Sequence, residues 1–169
     1  MPPLPEMADA PYPAIVPRAL LGGVSLLAWP SGPLTEIGSG HGPRALVTLH
    51  SAVCPDCQRY ICGLLASSAG RISEWGGRLG VVVPGNGQSA HELAEVIDGA
   101  VPILLDPEGK LALGKATVIV TDEWGEVYFV ADAGAGHDLP APVQIADWSR
   151  FLAIQCPECE GPEGEWRTI

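Results

Sequence analysis

Residues 45–57 read Ala-Leu-Val-Thr-Leu-His-Ser-Ala-Val-Cys-Pro-Asp-Cys, and the order of these residues decides the fold. Ala45 to His50 is a short, largely apolar run preceded by Gly42-Pro43-Arg44, the length and composition of a buried strand. Past Cys54 the period changes: Cys57, Ile61, Leu64 and Leu65 recur at i, i+4, i+7 and i+8, which is one face of a helix. Pro55 suits the first helical turn, where its missing N–H has no intrahelical partner to lose, so Cys54 falls at the N-cap. A buried strand thus runs directly into a helix that starts on a thiol.

Working outward, Gly77 to Val83 is a second strand candidate. Ser89 and Glu92 form a capping box, with Ala90, Leu93, Ala94 and Ile97 on one face of a helix reaching about Asp98. Strand patterns return at Val101 to Leu105, Ala116 to Val120 and Glu126 to Val130, the last two joined as a hairpin by Thr121-Asp122-Glu123-Trp124-Gly125. Ile145, Trp148, Phe151 and Leu152 build the stripe of a closing helix from Val143 to about Gln155, which Pro157 stops. Upstream, more than half of the 17 prolines fall within residues 1–44, where Ala19 to Leu21 and Val24 to Trp29 read as a short hairpin. The predicted organisation is a Pro-rich arm at 1–18, one α/β domain at 19–155 and an acidic tail at 156–169 carrying Glu158, Glu160, Glu163 and Glu165. Strand, helix, strand, helix, strand hairpin and helix, with a CxxC at the first strand-to-helix turn, is the layout of a thioredoxin-like fold: a central mixed sheet flanked by helices.

Composition removes several functions. Against 20 acidic residues stand 9 Lys and Arg in no cluster, a net charge of −11, so nothing offers a footprint for nucleic acid or an anionic lipid surface. The apolar stretch Ala19 to Trp29 is too short to span a bilayer. No positive charge precedes Arg18, as a secretory n-region would require, and a cytoplasmic protein is expected. Five cysteines, an odd number, in a chain long enough to bury its own core point away from a disulfide framework and toward redox or metal chemistry.

Four of them form two CPxC pairs, Cys54–Cys57 and Cys156–Cys159. Free N–H groups and the positive end of the dipole at a helix start favour an anion, which predicts Cys54 as the nucleophile with a lowered pKa. Cys57, one turn deeper on the face of Ile61 and Leu64, is the candidate resolving thiol, able to attack a mixed disulfide or a sulfenic acid on Cys54. Asp56 moderates the effect by raising the cost of a neighbouring thiolate.

These features resemble the redoxin group, the peroxiredoxins of the AhpC/TSA type and their thioredoxin-fold relatives, over roughly residues 30–155. The resemblance rests on Leu46 to Cys54, on Leu105-Asp106-Pro107-Glu108-Gly109 and on Lys115 to Gly125. It implies a thiol-disulfide oxidoreductase with a peroxide or disulfide substrate, no cofactor, a thioredoxin-type or other dithiol reductant, and a homodimer among the common assemblies. It further implies that Ser51 hydrogen-bonds the Cys54 thiolate and that Lys115 supplies positive charge where the group carries an Arg. The sequence departs from the group in having Val47 where Pro is expected before the peroxidatic cysteine, and Ala116 where thioredoxins carry a cis-Pro. A second alignment makes Cys57 the peroxidatic residue and Cys62 its resolving partner.

The alternative is a non-enzymatic scaffold or complex subunit in which one or both CPxC pairs hold structural zinc. Cys156 and Cys159 stay open between half a zinc knuckle, a second dithiol and neither; a closing helix of about 13 residues puts Cys156 some ~20 Å from that helix's start. Cys62 reads as an inert, partly buried small hydrophobe. His50, four residues before the nucleophile, is a candidate for tuning it, whereas His41, His91 and His137 are assigned to solvent. Trp75, Trp124 and Trp148 are read as packing residues, and Trp166 as a docking residue or part of an unstructured tail.

Overall fold

The computed structural model describes residues 15–155, except 16, 22, 31, 33, 39–41, 86, 112–113 and 135–136. Most of the Pro-rich arm and the whole 156–169 tail, with Cys156, Cys159 and Trp166, lie outside the described residues, as does His41.

The central strand is β3 (Arg44–Thr48), every residue of which is buried. Its side chains alternate between two cores, as the period-two geometry of a strand requires: Ala45 and Val47 enter one apolar cluster, Leu46 the other. β4 (Arg78–Pro84) lies parallel to it on one side, and β5 (Ile103–Asp106) lies parallel beyond β4. On the other side β6 (Thr117–Thr121) runs antiparallel to β3, and β7 (Val127–Asp132) antiparallel to β6, forming the expected hairpin. β1 (Ser25–Ala28) and β2 (Leu34–Glu36) complete a seven-stranded sheet of order β2-β1-β5-β4-β3-β6-β7.

The crossovers from β3 to β4 and from β4 to β5 step in the same direction, so right-handed connections lay their helices on one face. α1 (Pro55–Ser67) and α2 (Ala69–Glu74) occupy the first crossover, and α3 (Gly87–Ile97) the second. α4 (Pro142–Ala153) follows β7 and joins them, burying Ile145, Ala146 and Leu152 in the same cluster as Val47, Val81 and Val118. The opposite face carries Leu46, Val82 and Ile119 and is covered by residues outside the helices, among them Leu21, Ile37 and Leu111.

Three local expectations change. The N-terminal hairpin pairs β1 with β2, while Leu20 bridges Glu126 beside β7. α3 starts at Gly87, two residues ahead of the capping box, because Gly85 at φ +88° turns the chain directly after Pro84. α2 was not expected; its six residues bury only Ile72, too short a stripe to register as a period.

One consequence of the topology positions the site. β7 is antiparallel to β6 and β6 to β3, so β7 and β3 point the same way. The loops after them, residues 49–54 and 133–141, therefore open at the same edge of the sheet.

Candidate thiol site at the start of α1

Cys54 is the N-cap of α1 with extended backbone (φ −68°, ψ 122°), Pro55 opens the helix, and Gln58 N–H donates to the Cys54 carbonyl at 3.0 Å. The loop before it is tied down locally: the Gln58 Nε2 amide donates to Ala52 O at 2.9 Å, and Val53 N–H donates to Ser51 Oγ at 3.3 Å. Cys54 is half-buried at the helix end, where the N–H groups of the first turn have no intrahelical partner, and its side chain makes no cap hydrogen bond to them. Asp56, in that turn, is paired with Arg59 at 2.7 Å on the exposed side.

Cys57 sits one turn in, 2% exposed beside Ile61 and Leu64. Both thiols are free, and the Cys57 thiol is hydrogen-bonded to Cys54. Burial first, then the hydrogen bond to Cys54 and the charge of that sulfur, push Cys57 up to about 11, against an opposing pull from the backbone of His50 and Ser51. Cys57 is thus a protonated thiol at neutral pH, in contact with the sulfur it can join.

Two imidazoles complete the cluster. His50, half-buried at the end of the strand segment, places Nδ1 3.3 Å from Cys57 Sγ. His137, from the loop after β7, places Nε2 3.8 Å from Cys54 Sγ. The rings themselves are in contact, centroids 4.9 Å apart and tilted by 53°. The His137 loop is held by its own turn, His137 N–H donating to Gly134 O at 3.3 Å, and by Tyr60 of α1, whose hydroxyl donates to Pro140 O at 2.7 Å. Burial raises the Tyr60 phenol to about 12, so this donor keeps its proton throughout the neutral range.

The structure is similar in fold to peroxidoxin BcpB from Mycobacterium tuberculosis: TM-score 0.62 at 18% identity, covering 79% of this chain and 94% of that one. It is similar also to peroxiredoxin Q from Xanthomonas campestris, with TM-score 0.65 at 10% identity over 79% of this chain and 93% of that one. A peroxiredoxin-like protein from Aquifex aeolicus gives TM-score 0.62 at 17% identity over 76% and 82%. The fold is that of the peroxiredoxins. No protein-family model and no curated protein matches the sequence.

Within this fold the remaining expected residues have other contacts. The Ser51 hydroxyl accepts from Val53 N–H and makes no hydrogen bond to Cys54 Sγ among the described residues. Lys115 is exposed just before β6 and reaches Asp132 at 3.7 Å, a carboxylate that also accepts from Thr117 Oγ1 at 2.8 Å. Ala116 is buried in the main core. Cys62, expected partly buried, is exposed on α1, so the alignment that pairs it with Cys57 would join an outward-facing thiol to one sealed on the helix's inner face.

His137 is exposed, as its place in a loop suggested, yet the structure also sets it against Cys54, a contact the sequence did not reveal. The signal was present in the topology: once the 116–130 segment is a hairpin beside the first strand, the loop after it returns to the Cys54 edge. Among the described residues no helix is long and apolar enough to cross a membrane.

Proposed function

We propose that the chain is a thiol-disulfide oxidoreductase of the peroxiredoxin-like kind, with Cys54 as nucleophile and Cys57 as resolving thiol. The observation that carries this reading is the asymmetry of the pair: an accessible sulfur at a helix start against a buried, protonated one in contact with it, each with its own imidazole.

With a hydroperoxide, His137 takes the Cys54 proton, the thiolate attacks the terminal oxygen, and the O–O bond breaks as the S–O bond forms. The departing alkoxide recovers the proton from His137, leaving a sulfenic acid and an alcohol. Cys57 then attacks that sulfur. His50 in its Nε2–H tautomer accepts the Cys57 proton through Nδ1, which offsets the cost of ionising a buried thiol; the S–O bond breaks as the disulfide closes, and the departing hydroxide takes up that proton to leave as water. An external dithiol of the thioredoxin type returns two electrons and two protons by exchange through a mixed disulfide.

Mild peroxide treatment of the reduced chain tests this directly. Mass spectrometry is expected to find a loss of two hydrogens mapping to a Cys54–Cys57 peptide, absent from Cys54→Ser; free thiols at both positions after treatment would overturn it.

A disulfide substrate is the second reading, favoured by a specific observation. The Lys115 ammonium, expected to supply positive charge to a peroxide, is paired with Asp132, and the Ser51 hydroxyl accepts from Val53 N–H without a hydrogen bond to Cys54 Sγ. Thiol exchange needs neither, and the ratio of rates for hydrogen peroxide and an aromatic disulfide separates the two.

A further inference from the structure

We infer that the reduced site is also a metal site, in which the Cys54 thiolate and the imidazoles of His50 and His137 hold one zinc ion and so withdraw the nucleophile while the metal is bound. The ligand atoms of these three side chains all lie within 4.8 Å of one another, the only such group of His, Cys, Asp and Glu among the described residues. They come from two loops at one edge of the sheet: His50 and Cys54 from the segment that joins β3 to α1, where Cys54 is the N-cap, and His137 from the loop that Tyr60 pins to α1.

The spacing of Cys54 and His137 is close to what the ion demands, and His50 lies within 4.8 Å of both. Bonds of about 2.3 Å to sulfur and about 2.0–2.1 Å to nitrogen at the tetrahedral angle put ligand S and N atoms about 3.6 Å apart. Cys54 Sγ and His137 Nε2 stand at 3.8 Å, so side-chain rotation of a few tenths of an ångström would seat a cation between them. One thiolate with two neutral imidazoles is a borderline-soft donor set that suits zinc over calcium or magnesium, and three protein ligands leave a fourth position open. Zinc binding releases the Cys54 proton and changes no oxidation state; closing the Cys54–Cys57 disulfide removes the thiolate ligand and returns the ion to solution.

Binding stands apart from the proposed redox reaction, and only its inhibitory consequence rests on that reading. The test uses the full chain carrying Cys156→Ser and Cys159→Ser, so that the tail pair cannot bind metal, with cobalt(II) as a spectroscopic probe and zinc in competition. Expected are one cobalt per reduced chain with thiolate-to-metal charge transfer and tetrahedral d–d bands, and displacement by one equivalent of zinc. No binding is expected after oxidation to the disulfide. His137→Ala, in an exposed loop, should weaken zinc binding at least tenfold, while His91→Ala, a surface histidine on α3, should leave it unchanged. Alkylation of Cys54 should slow at least tenfold with zinc and recover with a chelator. Substoichiometric cobalt, or equal affinity in His137→Ala and the parent, would overturn the metal site. The disulfide found by mass spectrometry without metal binding would leave the redox reading standing, and metal binding without a disulfide would sink only the redox reading.

Discussion

His137 Nε2 lies 3.8 Å from Cys54 Sγ although 83 residues of chain separate them. The contact follows from strand direction: β3 and β7 are parallel at one remove through β6, so the histidine loop and the cysteine loop share an edge. A group held there can receive the thiol proton and return it to the leaving atom. His137→Ala is therefore expected to lower the rate of Cys54 attack on a hydroperoxide or disulfide by about 100-fold, the low end of what a positioned acid–base group contributes. Stopped-flow measurement of the first turnover checks it; a change within threefold would remove His137 from the proton path.

Cys57 gives the site its pH dependence at the alkaline end. Its folded value of about 11 exceeds the usual thiol value of 9.0, chiefly through burial. A group raised in the folded state favours folding fully below its unfolded value and loses that contribution as pH rises through the folded one. The reduced chain should accordingly lose thermal stability between about pH 9 and 11, and Cys57→Ala should flatten that part of the profile. In the same window iodoacetamide should begin to label Cys57. Labelling at pH 7 as fast as that of a free thiol would contradict the burial argument.

Much of this site is legible in the order of residues alone. Pro55 after Cys54 marks the first helical turn, and the i, i+4, i+7 recurrence of Cys57, Ile61 and Leu64 places the second thiol inward, because both signals are local and concern an element of 13 residues. The imidazole partners are harder to read, for opposite reasons. His50 is adjacent in sequence, but nothing local says that Nδ1 turns toward Cys57. His137 depends on three strand pairings being correct together. Ser51 and Lys115 take their expected roles from resemblance, and their side chains answer to nearer partners, Val53 N–H and Asp132, which a motif does not encode.

Tyr60 offers a way to disturb the histidine loop without touching an imidazole. Its hydroxyl donates to Pro140 O at 2.7 Å, and Tyr60→Phe removes that bond while keeping the ring. The loss should cost about 1 kcal/mol of stability. Because the phenol is held at about 12 against its ordinary 10.0, the variant should also lose the fall in stability that the parent shows between about pH 10 and 12. Hydrogen exchange at Leu139, whose N–H donates to His137 O at 3.0 Å, should accelerate, with a smaller effect on Cys54 attack than His137→Ala has. Unchanged exchange at that amide would show that the loop holds itself.

Lys115 is the sharpest test of whether resemblance or geometry governs the chemistry. In the peroxiredoxin-like reading its ammonium stands where an arginine would polarise the attacked bond. In the structure it is exposed and its nearest anion is Asp132, itself anchored by Thr117 Oγ1. A solvent-exposed ion pair of this kind contributes roughly 0–1 kcal/mol, and its charge is screened within about 8–10 Å at ordinary salt. Lys115→Met should therefore change the first-turnover rate by less than threefold and show no loss that is larger at low ionic strength and fades with added salt. Lys115→Arg should not raise it, since a guanidinium at the same Cα would meet the same carboxylate. A fall of tenfold or more in Lys115→Met, relieved in Lys115→Arg, would instead mean that the lysine leaves Asp132 and reaches the reacting oxygen once substrate is bound, and the imidazoles would then share the polarising role with it.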